Sequence, residues 1–128
     1  MGDISPDLHR DTLLFTGYDD DYIKVNHQLY HSSLCIHEGK LVNPWGPARI
    51  RDVTVDVLQM FLQQPPEVLI IGTGRTTAFP DASVMQFLAD HHIGFECMDS
   101  RSAARTYNIL LAEGRTVSAA LLLPGARR

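Results

Sequence analysis

The pattern of apolar and polar positions changes near the middle of the chain. Up to about residue 50 the runs are short and alternating. In TLLFTGYDDDYIKVNHQLY, Ile23 and Val25 alternate with Lys24 and Asn26, the period of two expected of a strand with one covered face. The acidic run Asp19-Asp20-Asp21 interrupts this stretch. It reads as a solvated turn, because it lacks the ligand spacing of a calcium loop. SLCIHEGKLV has two apolar arms around Glu38-Gly39, and Gly39 supplies the positive φ of a tight hairpin. The loop NPWGP follows, with the only tryptophan, Trp45, expected to anchor it in the core.

The second half alternates helical and strand periods. Thr54 predicts a capped helix to about Leu62, with Val57, Leu58, Phe61 and Leu62 on one face. Pro65-Pro66 stops it. VLIIG is an unbroken apolar run, as in a central strand covered on both faces. After a loop to Pro80-Asp81, a helix from about Ala82 to His92 turns Val84, Met85, Phe87 and Leu88 inward, with Gly94 as its stop. GFECM reads as a strand. Asp99 or Ser100 caps a further helix through Glu113, with Ala103, Tyr107, Leu110 and Leu111 as its inner stripe and Gly114 at its end. RTVSAALLL is the last strand. Helices interleaved with buried strands predict an α/β sheet with layers on both faces.

Length and charge narrow the function classes. The 128 residues fit one domain, with residues 1–10 and 125–128 expected as flexible tails. A net charge of −4 argues against nucleic acid and against anionic membrane surfaces as partners, since both demand clustered positive charge. Cys35 and Cys97 show no ligand spacing and read as small buried hydrophobes in a reducing compartment. MGDISPDLHR lacks the apolar core of a signal peptide, and Pro6 stands where myristoylation requires Ser or Thr. No apolar run is long enough for a membrane span. The expectation is a cytoplasmic protein without direct membrane insertion.

The stretch VLIIGTGRT suggests a phosphate loop, but the pattern is incomplete. A dinucleotide fingerprint has a third glycine leading directly into a helix; here Thr77 takes that place and the helix waits until after Pro80. No Gly-Lys-Ser/Thr follows either. Gly72 and Gly74 are then explained by backbone angles or close packing. Open α/β sheets hold ligands beyond the carboxyl ends of their strands. Thr73, Arg75, Thr76 and Thr77 at this strand end therefore remain candidate donors to a polar or anionic ligand.

LIIGTG, followed by GFECMDSRSAARTYNILLAEGRTVSAALL, resembles a family of small single-domain proteins of undefined molecular function. That family includes mitochondrial NADH:ubiquinone oxidoreductase (complex I) assembly factor 3, an adipogenesis-associated cytosolic protein, and bacterial and archaeal members. The matching positions are Gly72-Thr73-Gly74, then Glu96 and Met98. Ala103, Arg105, Thr106, Tyr107 and Asn108 follow, and then Glu113, Gly114 and Arg115 with Ala119 and Ala120. The resemblance implies a three-layer α/β fold with a central mixed sheet, while the residue pattern itself predicts the antiparallel hairpins of the N-terminal half. It implies no established catalytic activity. For the mitochondrial member it implies a role in complex assembly by contact with other proteins.

Glu96 with Arg105 or Arg115 is expected to form an ion pair near the Gly-Thr-Gly turn. Two readings follow. One is a polar pocket in which arginine meets an anion, Glu96 acts as acid or base, and Tyr107 and Asn108 supply hydrogen bonds. The other is a buried pair tying helix to sheet, whose breaking costs about 3–5 kcal/mol. No Gly-x-Ser-x-Gly elbow surrounds any serine. The six histidines are scattered, whereas zinc takes three or four converging ligands, so no metal or other cofactor is expected. His91-His92 at a helix end suit its dipole. Two function classes remain. One is a non-enzymatic protein-binding or assembly module, which could also be a homodimer. The other is a small-ligand domain or enzyme using Gly72–Arg75.

Overall fold

The computed structural model describes residues 12–128; the tail expected at residues 1–10 lies outside them. Among the described residues eight strands form two sheets. A three-stranded antiparallel sheet runs β1 (Phe15–Asp19), β2 (Tyr22–Val25), β3 (Gln28–Tyr30). The five-stranded sheet contains β4 (Leu34–His37), β5 (Lys40–Val42), β6 (Val68–Gly72), β7 (Gly94–Met98) and β8 (Val117–Leu121), in the order β5-β4-β8-β6-β7. β6 pairs in parallel with β7 and β8, while β4 pairs antiparallel with β5 and β8. The fold is mixed α/β around a central mixed sheet, as the sequence pattern and the family resemblance predict.

Every residue of β6 is buried, which explains its unbroken apolar run. Leu69 and Ile71 enter one core, with Leu58, Phe61, Val84 and Leu88. Val68 and Ile70 enter the other, with Ala103, Ala104 and Tyr107 of helix α2 (Ser100–Ala112) and with Phe15, Ile23 and Val25 of the small sheet. Helix α1 (Ala82–Asp90) connects β6 to β7, and α2 carries the chain back across β6 to β8. Crossovers of one hand that run in opposite directions place their helices on opposite faces. The small sheet shares the α2 face.

Local chemistry sets the ends of these elements. Asp81 caps α1 by accepting from the Ser83 amide at 3.0 Å. Asp99, rather than Ser100, caps α2 by accepting from the Ser102 amide at 3.0 Å. The β4–β5 turn places both Glu38 (φ +53°) and Gly39 (φ +74°) in the left-handed region, as a type I′ hairpin turn requires. Trp45 is buried and donates its indole N–H to the Val57 carbonyl at 2.9 Å, anchoring its loop as expected.

Three expectations change. The helix expected from Thr54 is a 3-10 segment, Asp56–Leu62, entered at Val55 without a side-chain cap. The β-branched run Val53-Thr54-Val55 disfavours an α-helical start. The Trp45 indole also occupies the Val57 carbonyl, which in an α-helix would accept from the amide of residue 61. Gly94 does not stop α1. His91 closes it, its Nδ1 lying 2.9 Å from the Phe87 carbonyl, and His92 follows at φ +59°. Gly94 instead opens β7, where a Cβ would lie 2.8 Å from the Glu67 carbonyl oxygen. Gly125 and Ala126, expected in a tail, are hydrogen-bonded to the body: the Gly125 amide donates to Asp20, and the Ala126 carbonyl accepts from Arg75.

Asn108 ties the layers together. Its Oδ1 accepts from the Phe15 amide at 3.0 Å, and its Nδ2 donates to the Phe15 carbonyl at 2.7 Å. The side chain thus pairs with β1 as a neighbouring strand would. Asn108→Ala leaves both Phe15 backbone groups without these partners and should destabilise the protein by about 1–3 kcal/mol, read as a lower urea midpoint. An unchanged midpoint would show that this pairing contributes nothing.

Candidate functional site

At the carboxyl end of β6 the Gly-Thr-Gly turn is closed by its own surroundings. The Thr73 amide donates to the Met98 carbonyl at 2.8 Å, and the Gly74 amide donates to Ser100 Oγ at 2.9 Å. The Arg75 amide donates to the Ala126 carbonyl at 2.9 Å. In return Ser100 donates its own amide to the Gly74 carbonyl at 2.9 Å. Thr73 is 1% exposed; its hydroxyl lies 2.7 Å from the Thr76 carbonyl and accepts from the Ala78 amide at 3.1 Å. A phosphate cradle presents free amides; these three are engaged internally.

The glycines are there for close approach. A Cβ on Gly72 would lie 2.7 Å from Leu121 Cγ and 2.9 Å from Ser100 Oγ. Gly74 sits at φ +101°, and a Cβ there would lie 2.5 Å from the Ala126 carbonyl oxygen.

The charged residues are distributed differently from the expected pocket. Arg115 Nε donates to Glu67 Oε1 at 2.8 Å, a bond that holds the Glu67 carboxyl below its usual range. Arg105 donates to the Tyr18 hydroxyl at 2.6 Å and lies 3.3 Å from Ser102 Oγ. Glu96 stands exposed on the edge strand β7 and forms an ion pair with neither arginine. The expected Glu96 pairing therefore gives way to Glu67, which the turn before β6 brings to Arg115. Thr106 is half-buried on α2, and Met98 supplies its carbonyl to Thr73.

The acidic turn Asp19–Asp21 is more than a solvated bend. Asp20 accepts from Arg101 at 2.8 Å and from Arg75 at 3.3 Å, joining the small sheet to α2 and to the Gly-Thr-Gly turn. No spacing rule connects residue 20 with residues 75 and 101, so sequence reasoning missed this hub. It named Ser100 only as a candidate helix cap and missed its bond to the Gly74 amide for the same reason. The Arg101 hydrogen bond, then the Arg75 charge, lowers the Asp20 carboxyl from its ordinary 3.8.

At the opposite end, by the amino ends of β6 and β8, lies a cavity of about 680 Å³. Tyr107 and Arg115 line it, so these two are separated from the Gly-Thr-Gly turn. His37 and Ser118, both buried, form one wall. His37 Nε2 lies 2.8 Å from the Gln63 carbonyl and so must donate, leaving Nδ1 to accept from Ser118 Oγ at 2.7 Å. Among the described residues no group of three or more His, Cys, Asp or Glu side chains is arranged to hold a metal. No helix among them is long and apolar enough to cross a membrane.

Gly74→Ala combines a strained φ with backbone overlap and should cost about 1–3 kcal/mol by denaturant titration. Asp20 has a depressed folded-state pKa, so its contribution is present above 3.8 and is lost as pH falls through the lowered value. Asp20→Asn should therefore be less stable than the parent at pH 7, with the difference shrinking below about pH 3.8. A difference constant from pH 7 to pH 2 would contradict the pairing.

The molecule is similar to solved bacterial structures. A crystal structure from Bordetella parapertussis superposes with a TM-score of 0.80 and 38% identity, covering 88% of this chain and 96% of that one. A solution NMR structure from Bordetella pertussis, described as an Mth938-like domain, gives 0.79 and 31%, covering 97% and 94%. Among curated proteins, NADH dehydrogenase [ubiquinone] 1 alpha subcomplex assembly factor 3 of Danio rerio is 36% identical over 84 residues, 64% of this chain and 48% of its own length. The chain spans about half the length of the first curated relatives it matches. Residues 15–122 match the model of a family described as a protein of unknown function (DUF498/DUF598), and the chain belongs to that family.

Proposed function

We propose that this protein is a non-enzymatic binding module that acts by contact with other proteins in assembling a larger complex. The observation that carries this reading is Phe79, 62% exposed between buried Ala78 and Pro80. The loop bearing it is held from inside by the Thr73 hydroxyl, which accepts from the Ala78 amide. An aromatic ring displayed on a hydrogen-bonded loop suits an interface anchor, because less of the backbone remains to be ordered on binding. The assembly-factor names of the curated relatives support the same reading.

The rival reading is a small polar or anionic ligand at Gly72–Arg75 with Glu96 and Arg105. The engaged amides of Thr73, Gly74 and Arg75 leave it side-chain donors, of which Arg75 already faces Asp20. A homodimer using the Phe79 surface is a further form of the binding proposal, and light scattering after gel filtration distinguishes it. The proposal includes a cytoplasmic location; recovery of the untagged chain in the membrane pellet would overturn that part.

Gentle, low-salt co-purification from the native organism tests the proposal. A specific partner should appear. Phe79→Ser should weaken its binding by about thirtyfold while moving the melting temperature by no more than about 2 °C. Absence of any specific partner, or full retention by Phe79→Ser, sinks the reading.

A further inference from the structure

We infer that the cavity at the amino ends of β6 and β8 is a binding site for a small organic carboxylate with an apolar body. Its volume of about 680 Å³ lies within the ordinary range of ligand sites. Its position was not foreseen, since the usual crevice of an open α/β sheet lies at the carboxyl ends of the strands.

Three buried side chains that carry polar atoms line this cavity: His37, Ser118 and Tyr107. His37 and Ser118 satisfy one another and the Gln63 carbonyl, so they form a wall with little left to offer. Tyr107 differs. It is 2% exposed and its ring meets Phe15 edge-on at 5.3 Å, yet its hydroxyl makes no hydrogen bond with any described residue. Burial alone pushes its pKa up to about 12, so at neutral pH the group is a protonated donor. Buried polar groups in folded proteins almost always have partners, in the protein or in ordered water, and an unpartnered donor on a residue that lines a cavity points to an acceptor held there, water or ligand.

The remaining wall supplies the rest of the chemistry. Leu13, Leu111 and Val117 are apolar. Arg115, half-exposed, brings a positive charge; its Nε is bound to Glu67, which leaves the Nη groups as donors. The one acid in the lining, Glu38, stands 3.6 Å from His37 Nε2. A carboxylate between Tyr107 and Arg115, with its hydrocarbon against Leu13, Leu111 and Val117, uses each of these features. This site is independent of the Phe79 surface, and neither proposal depends on the other.

The test is an NMR titration of the isotope-labelled full chain with hexanoate, benzoate and, as the charge-reversed control, hexylamine. The two carboxylates should shift the amides of residues 116–118 and 38–39 at millimolar concentration, and hexylamine should not. Tyr107→Phe removes one oxygen; it should weaken hexanoate by about tenfold without lowering the melting temperature. Leu111→Trp, at a half-buried position, fills the cavity and should abolish the shifts. The inference is overturned by absence of shifts up to about 10 mM carboxylate, by equal response to hexylamine, or by unchanged hexanoate affinity in Tyr107→Phe. A clear loss of melting temperature in Tyr107→Phe also overturns it, because the hydroxyl would then already have its partner.

Discussion

The architecture depends on a place where side chains are missing. Gly72 ends the central strand with no Cβ, and Ser100 at the start of α2 and Leu121 at the end of β8 fill that space. Ser100 and Gly74 then exchange two hydrogen bonds, while the neighbouring Asp99 caps the helix that Ser100 begins. The start of α2 is thereby held against the end of the sheet. Everything the helix carries is positioned as a consequence. Asn108 reaches the backbone of β1, Arg101 reaches Asp20, and Tyr107 comes to rest against Phe15.

The two kinds of contact that hold the small sheet differ in nature. Burial of Phe15, Ile23 and Val25 beside Ala103, Ala104 and Tyr107 supplies most of the attraction. Of the arginines around Asp20, Arg75 is exposed and Arg101 half-buried, and both are screened by solvent, so they contribute orientation more than energy. Paired with the Gly125 amide on the Asp20 carbonyl, they hold the β1–β2 turn over the C-terminal residues.

The family motif therefore reads first as a structural device. Gly72, Thr73, Gly74, Arg105, Asn108 and Arg115 each have an internal partner or a packing role. Two side chains stand outside this set of internal contacts: Phe79, displayed by the closed loop, and the Tyr107 hydroxyl, at the far end of the molecule. One faces outward; the other lines the cavity at the amino ends of β6 and β8.

The order of elements, the buried central strand, the hairpin at Glu38-Gly39 and a helix cap at Asp99 or Ser100 were legible in the sequence. Each depends on residues within a few positions of one another: apolar periodicity, backbone angles, a capping carboxylate. So was the family, because its second-half motif is long and nearly contiguous. The 3-10 form of Asp56–Leu62 was not legible, since it involves an indole twelve residues earlier meeting the Val57 carbonyl. The partners of Arg115 and Arg105 were not legible either. Glu96 had suitable charge, but Glu67 and Tyr18 were the groups that folding brought within reach. Local rules determine which elements form. Which polar groups are consumed, and which are left free to act, is decided only when segments far apart in the chain are packed together.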